Sequence, residues 1–260
     1  MELGMSSAAF YGRMNTEDAA GHLCSFPIDT CEVFLQTFSE YNAEFGGIVR
    51  NKLGNLKCTS VHAKGTQFEL DLFADYVRQR NDAFRLFEGI CSAGKEMGAS
   101  YYVLHGPPGF RKSLRPEQIR NLKNVFPEMQ KIAGKYGMEI LWENVFWCAC
   151  SLPEHVRTLM EFFPDIRFVL DIKQAYQAGT DPMEMAATMG THLAHVHVLD
   201  WDTEGRLVLP GEGVFDFEAF ARVLRSFHYT GAVILEPYSS QTLDEERVCT
   251  SLKHLQNIIA

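Results

Sequence analysis

Six apolar runs in this chain each stop on a residue that can bind a metal or move a proton: His62 in TSVHA, His105 in YYVLHG, Glu143 in EILWEN, Asp171 in RFVLDI, His197 in AHVHVLD and Glu236 in AVILEPY. Imidazole nitrogens and carboxylate oxygens are the donors that divalent ions take, and the same groups act as general acids and bases. Glu143, Asp171, His197 and Glu236 together would supply an O/O/O/N shell. Such a shell suits one divalent ion, Mn²⁺, Co²⁺, Mg²⁺ or Zn²⁺, with open positions for two oxygens of a substrate. His62 and His105, with Glu143 as a bridge, offer a nitrogen-rich place for a second ion, most naturally zinc; alternatively they hydrogen-bond the substrate.

Each residue also has a bland reading. A lone histidine at the end of an apolar run is usually a satisfied polar group, and a lone acid there often caps the next helix. Joint occurrence favours the ion, because converging carboxylates repel one another unless a cation or proton holds them.

The elements that must gather these groups are legible in the pattern. Strand-like runs are predicted near Leu3 to Ser7, Thr30 to Gln36, Cys58 to Ala63, Tyr101 to Gly106, Glu139 to Glu143, Arg167 to Asp171, Leu193 to Asp200 and Ala232 to Glu236. Amphipathic stretches alternate with them: Thr16 to Cys24, Ala43 to Leu53, Asp82 to Met97, Pro116 to Tyr136, Pro153 to Phe163, Pro182 to Met189, Phe217 to Phe227 and Leu243 to Ile258. Eight such units predict a parallel sheet closed into a (β/α)8 TIM barrel, one α/β domain over residues 1–260, with its site at the edge where strands end. Residues two apart on a strand share a face. Leu141 with Glu143, Val169 with Asp171 and Ile234 with Glu236 therefore pair an apolar interior residue with a carboxylate at the mouth. No GxGxxG or GxxxxGK[ST] follows a strand, which removes the usual reason to propose a dinucleotide or P-loop site.

Composition narrows the partners. The formal net charge is −9 and no long Lys/Arg run occurs, so nucleic acid is disfavoured. No apolar stretch approaches the roughly 20 residues of a membrane span, and the start MELGMSSAAFYGR lacks a signal pattern, so no membrane partner and a cytoplasmic location are expected. The seven cysteines are an odd number scattered through the chain, which reads as reduced thiols. A homo-oligomer is compatible with all of this.

Other residues near the predicted mouth invite roles. In the loop from Gly106 to Arg115, Arg111, Lys112 and Arg115 suit a phosphate or carboxylate, or form a solvated turn. Trp142, Phe146, Trp147, Trp201 and Tyr238 could face a sugar ring or simply pack. Lys173, two residues after Asp171, is placed to supply a proton, bind an anionic group or bridge to a carboxylate. His195 reads as support beneath His197 or as packing in the layer below, and Asp200 as an orienter of a site group.

At these residues the chain resembles the xylose isomerase-like TIM barrel superfamily of sugar epimerases and isomerases, inositol-catabolism enzymes and apurinic-site endonucleases. The resemblance is carried by WEN at Glu143, LDIKQA at Asp171, HVHVLD at His197, LPGEGVFDF and LEPY at Glu236, and it covers nearly the whole chain. It implies that Glu143, Asp171, His197 and Glu236 bind one ion and that Glu143 and Glu236 form the acid–base pair of an enediolate mechanism on a small sugar or polyol. A dehydratase or lyase on inositol-type polyols would share that site. The third zinc site of the endonuclease branch fails, because its ligand positions hold Gln174, Gly205 and Leu207, and zinc-dependent phosphodiester hydrolysis is the least favoured alternative. Gln174 also departs from the substrate-binding histidine of many epimerases, and with Lys173, Arg111 and Trp201 it completes the expected substrate contacts.

Overall fold

Alternating side chains leave each strand with one face for the helices and one for the interior of a closed sheet. The computed structural model describes residues 1–65, 68–109 and 116–260. Its strands are β1 (Glu2–Ser6), β2 (Thr30–Leu35), β3 (Lys57–Ala63), β4 (Tyr101–Leu104), β5 (Glu139–Glu143), β6 (Arg167–Asp171), β7 (Leu193–Val198), β8 (Asp200–Trp201), β9 (Leu207–Val208) and β10 (Ala232–Leu235). Eight of them close into a parallel barrel in the order β1-β10-β7-β6-β5-β4-β3-β2, while β8 and β9 form a separate antiparallel pair. The predicted TIM barrel is thus the architecture found.

The surrounding helices are α1 (Thr16–Leu23), α2 (Ala43–Leu53), α3 (Glu69–Leu72), α4 (Val77–Met97), α5 (Pro116–Lys135), α6 (Pro153–Phe162), α7 (Ile172–Gln177), α8 (Pro182–Met189), α9 (Phe217–Ser226) and α10 (Glu245–Ile259). Local chemistry sets their ends. Asp216 accepts the Ala219 N–H at 2.8 Å and Asp181 the Met183 N–H at 2.9 Å, and Pro153 and Pro182 fill first helical positions where no N–H is needed. Gly98 ends α4 at φ 82°, a conformation that side chains disfavour. Phe217, Phe220, Ala221 and Leu224 recur at helical spacing and are all buried, so α9 docks by one apolar stripe. Inside the barrel, Val103, Leu141, Val169 and Ala194 form a separate apolar layer beneath the mouth. Leu141 and Val169 are where strand alternation from Glu143 and Asp171 puts them.

Three departures from expectation have physical causes. The predicted strand Leu193 to Asp200 breaks after Val198. Asp200 is drawn into the small antiparallel pair, its carboxylate accepting N–H groups from Trp201, Gly211, Gly213 and Phe215, so it organises the PGEGVF loop rather than orienting a site group. Between the predicted strand end at Ala63 and the predicted helix start at Asp82, α3 forms and α4 begins early, at Val77. Finally, β3 and β7 each carry an extra residue: Cys31 pairs with Cys58 but Glu32 with Ser60, and Phe168 pairs with Leu193 but Val169 with His195. Such bulges re-aim side chains. Here they bring Ser60 opposite Glu32 and His195 opposite Val169. No helix among the described residues is long and apolar enough to cross a membrane.

Candidate metal centre and active site

The strand ends bring the six sequence-selected residues together. Asp171 lies in register with His197, and His197 with Ile234, so Glu236 two residues on shares their face. Glu143, Asp171, His197 and Glu236 each place one ligand atom within 4.8 Å of the others. His197 Nδ1 is 3.1 Å from Glu143 Oε1 and 3.4 Å from Glu236 Oε2. His62, His105 and Glu143 form an overlapping set, with the two Nε2 atoms 2.9 Å apart and His105 Nε2 3.2 Å from Glu143 Oε2.

The chemistry of this donor set fits a divalent ion. Glu143 Oε2 and His62 Nδ1 are buried without a well-aligned hydrogen bond, Oε2 facing only His105 Nε2 at 3.2 Å, and a carboxylate oxygen so buried is costly unless positive charge meets it. The nitrogen-rich set suits zinc, and the oxygen-rich set suits harder ions.

Above the ligands lies a cavity of about 250 Å³. His62, His105, Glu143 and Glu236 face it from the strands, Lys173 and Gln174 from α7, and Ala8, Tyr11, Phe34, Pro237 and Tyr238 make its apolar sides. Lys173 is buried and donates to Asp171 Oδ2 and, at 2.6 Å, to Glu236 Oε2. Gln174 uses its Oε1 to accept the Phe146 N–H at 3.1 Å. Trp201 is a correction: its ring stacks on Tyr176 at 4.3 Å and does not line the cavity, because the break after Val198 turns it into the β8–β9 pair. Arg111 lies outside the described residues.

Sequence reasoning missed three supporting residues. Glu32, in the middle of β2, is fully buried beneath the centre. It accepts Ser60 Oγ at 2.8 Å and Ser6 Oγ at 3.2 Å, and lies 3.1 Å from His197 Nε2 and 3.4 Å from His195 Nε2. A carboxylate on the far nitrogen fixes the ring and tautomer of a ligating histidine. Glu69, on α3, stands behind His105: it accepts the Tyr102 hydroxyl and the His105 backbone N–H, and its Oε2 is 3.5 Å from His105 Nδ1, an ion-pair contact without a hydrogen bond. Asn144 clamps the Asp171 backbone from both sides, accepting its N–H at 2.7 Å and donating to its carbonyl at 2.9 Å. His195 sits on Glu32 and Ser60, the supporting place expected of it.

Charge is heavily biased here. Burial works against ionising Glu143, yet the close approach of His105 and His197 wins and holds it below the usual carboxylate range. Glu236 and Glu32 are likewise held well down against burial, by Lys173 and His197 for Glu236 and by His197 and His195 for Glu32. Burial lifts Asp171, and Glu143 and Glu236 add to that, outweighing the pull of Lys173. Against their own burial, His197 is raised well above the ordinary histidine value by Glu32 and Glu236, and His105 to about 9 by Glu69 and Glu143. Burial keeps His195 low.

A closed parallel barrel with this centre at its mouth places the chain in a known group. It belongs to the xylose isomerase-like TIM barrel family, whose model matches residues 24–258. It is 22% identical over 196 residues to an inosose isomerase of Bacillus subtilis, covering 69% of this chain and 70% of that protein. It is 25% identical over 161 residues to an inosose dehydratase of Erwinia tasmaniensis, covering 54% of this chain and 53% of the dehydratase, about half its length. The crystal structure of a D-tagatose 3-epimerase-like protein superposes with a TM-score of 0.77 at 19% identity, covering 100% of both chains, a likeness of fold.

Proposed function

We propose that this chain is a divalent-metal-dependent isomerase or epimerase of a small sugar or polyol, with Glu143 and Glu236 as its acid–base pair. The observation that carries the reading is the meeting of Glu143, Asp171, His197 and Glu236, each with a ligand atom within 4.8 Å of the others. An ion bound by those four residues would chelate a carbonyl and its neighbouring hydroxyl and lower the cost of an enediolate. His62 and His105 would hold a second ion with Glu143, or would hydrogen-bond the substrate.

Glu143 approaches the cavity from β5 and Glu236 from beyond β10, so a carbon between them meets one carboxylate on each side. One removes the proton next to the carbonyl, and the other delivers a proton to the opposite face or the adjacent carbon. The apolar sides of Tyr11, Phe34 and Tyr238 limit water at the reacting carbon, and the Gln174 amide and Lys173 ammonium bind substrate oxygens.

A dehydratase acting on the same polyols is the second reading, favoured by the likeness to inosose dehydratase. It shares every step up to the enediolate and differs in expelling a hydroxyl.

The test is proton exchange. Ketoses, aldoses and inososes in D₂O with Mn²⁺, Co²⁺ or Zn²⁺ should gain deuterium at the α-carbon, chelator should stop the exchange and added ion restore it. Glu143→Gln and Glu236→Gln should each abolish exchange; either variant exchanging at the wild-type rate removes the two-glutamate mechanism.

A further inference from the structure

Among the described residues, Lys173 is the only lysine or arginine in an ion pair with the centre. Its side chain is 4% exposed, and both of its carboxylate partners, Asp171 and Glu236, belong to the four-residue ligand set. Asp171 Oδ1 already accepts the Gln174 N–H at 3.0 Å to start α7, which leaves Oδ2, the oxygen Lys173 holds, turned to the centre. A divalent ion needs its oxygen ligands at about 2.0–2.2 Å. An ammonium and a dication sharing the same two carboxylates would repel strongly in so dry a place.

We propose that Lys173 is a built-in competitor for the ion. With no ion present its ammonium neutralises Asp171 and Glu236; ion uptake proceeds by exchange, releasing the ammonium towards the cavity that its side chain lines. Loading the centre and presenting a cation to substrate oxygens are then one event, and the ion-free mouth stays charge-balanced. This rests on the metal-dependent reading above.

The experiment is direct titration of chelator-treated wild type, Lys173→Met and Lys173→Gln with MnCl₂, read by calorimetry and by loss of the free Mn²⁺ resonance signal. Both variants should bind Mn²⁺ at least about tenfold more tightly than wild type. Equal or weaker binding overturns the proposal while leaving the metal-dependent reading in place; no Mn²⁺ binding by any of the three overturns both. A measurement on the unaltered protein guards against a variant that does not fold. Reductive methylation followed by peptide mass spectrometry should label Lys173 faster when Mn²⁺ is present, and unchanged labelling overturns the exchange.

Discussion

Glu32→Gln tests how the centre is supported, because Glu32 carries charge where no solvent reaches. The substitution keeps the shape and replaces one oxygen by an amide nitrogen. The amide oxygen can still accept from His197 Nε2 at 3.1 Å and from Ser60, and Ser6 can rotate its hydroxyl to accept from the amide nitrogen, so what the variant loses is the negative charge beside the imidazolium. A hydrogen bond to a charged group contributes about 1.5–3 kcal/mol, and removing one partner of a buried ion pair costs about 3–5 kcal/mol. With the serine contacts largely retained, the loss should be about 2–4 kcal/mol. At about 2–4 °C per kcal/mol for a chain near this size, the ion-free variant should melt roughly 5–15 °C lower at neutral pH. Glu32 is depressed below its ordinary value of 4.5, so its contribution is fully present above that pH and fades only as pH falls further. The gap should therefore persist into mild acid. Calorimetry of wild type and variant decides it, and a difference under about 2 °C would refute the argument that Glu32 holds His197 by charge.

Three further outcomes follow from the same contacts. His105 is raised from 6.5 to about 9, so its contribution is complete below 6.5 and is lost as pH rises through 9, on the order of 3 kcal/mol in all; urea midpoints should fall over that range in wild type and fall less steeply in His105→Gln, where His197 still titrates. Gly106→Ala places a side chain at φ 79° with its Cβ 2.4 Å from the Trp142 ring, and should cost about 2–4 kcal/mol by chemical denaturation. Asn144→Ala strands both backbone groups of Asp171, which should cost about 2–5 kcal/mol and weaken Mn²⁺ binding in the same titration.

The barrel and the six converging residues were legible because the relevant signals are local. A strand that ends in a polar residue shows both its direction and its mouth, and helix starts such as Asp181-Pro182 carry their own caps. Glu32 escaped because its run TCEVFL continues past it, so nothing marks it as an end; the available signal was a carboxylate inside an otherwise apolar strand, on the same face as Thr30 and Phe34. Glu69 was hidden because only the folding of α3 onto the barrel brings it to Tyr102 and His105. The extra residues in β3 and β7 leave no trace in periodicity, yet they decide that Ser60 and His195 reach Glu32. Trp201 misled for the converse reason: an aromatic beyond a strand looks like a wall of the mouth unless the chain breaks first, as it does after Val198.

The supporting residues explain how one mouth tolerates so many charges. Acid and base alternate across the strands: Glu69 meets His105 at 3.5 Å, His105 meets Glu143 at 3.2 Å, Glu143 meets His197 at 3.1 Å, and His197 meets Glu32 at 3.1 Å. Lys173 completes the series between Asp171 and Glu236. Each acid thus has a basic neighbour, and repulsion among the carboxylates is offset within the protein itself. Because the groups share protons along this series, their titrations belong to the network rather than to single residues. On the exchange proposed for Lys173, an entering dication would displace positive charge that is already there, from Lys173 on the oxygen side and as protons from the histidines on the nitrogen side, so the net charge buried at the mouth would change little.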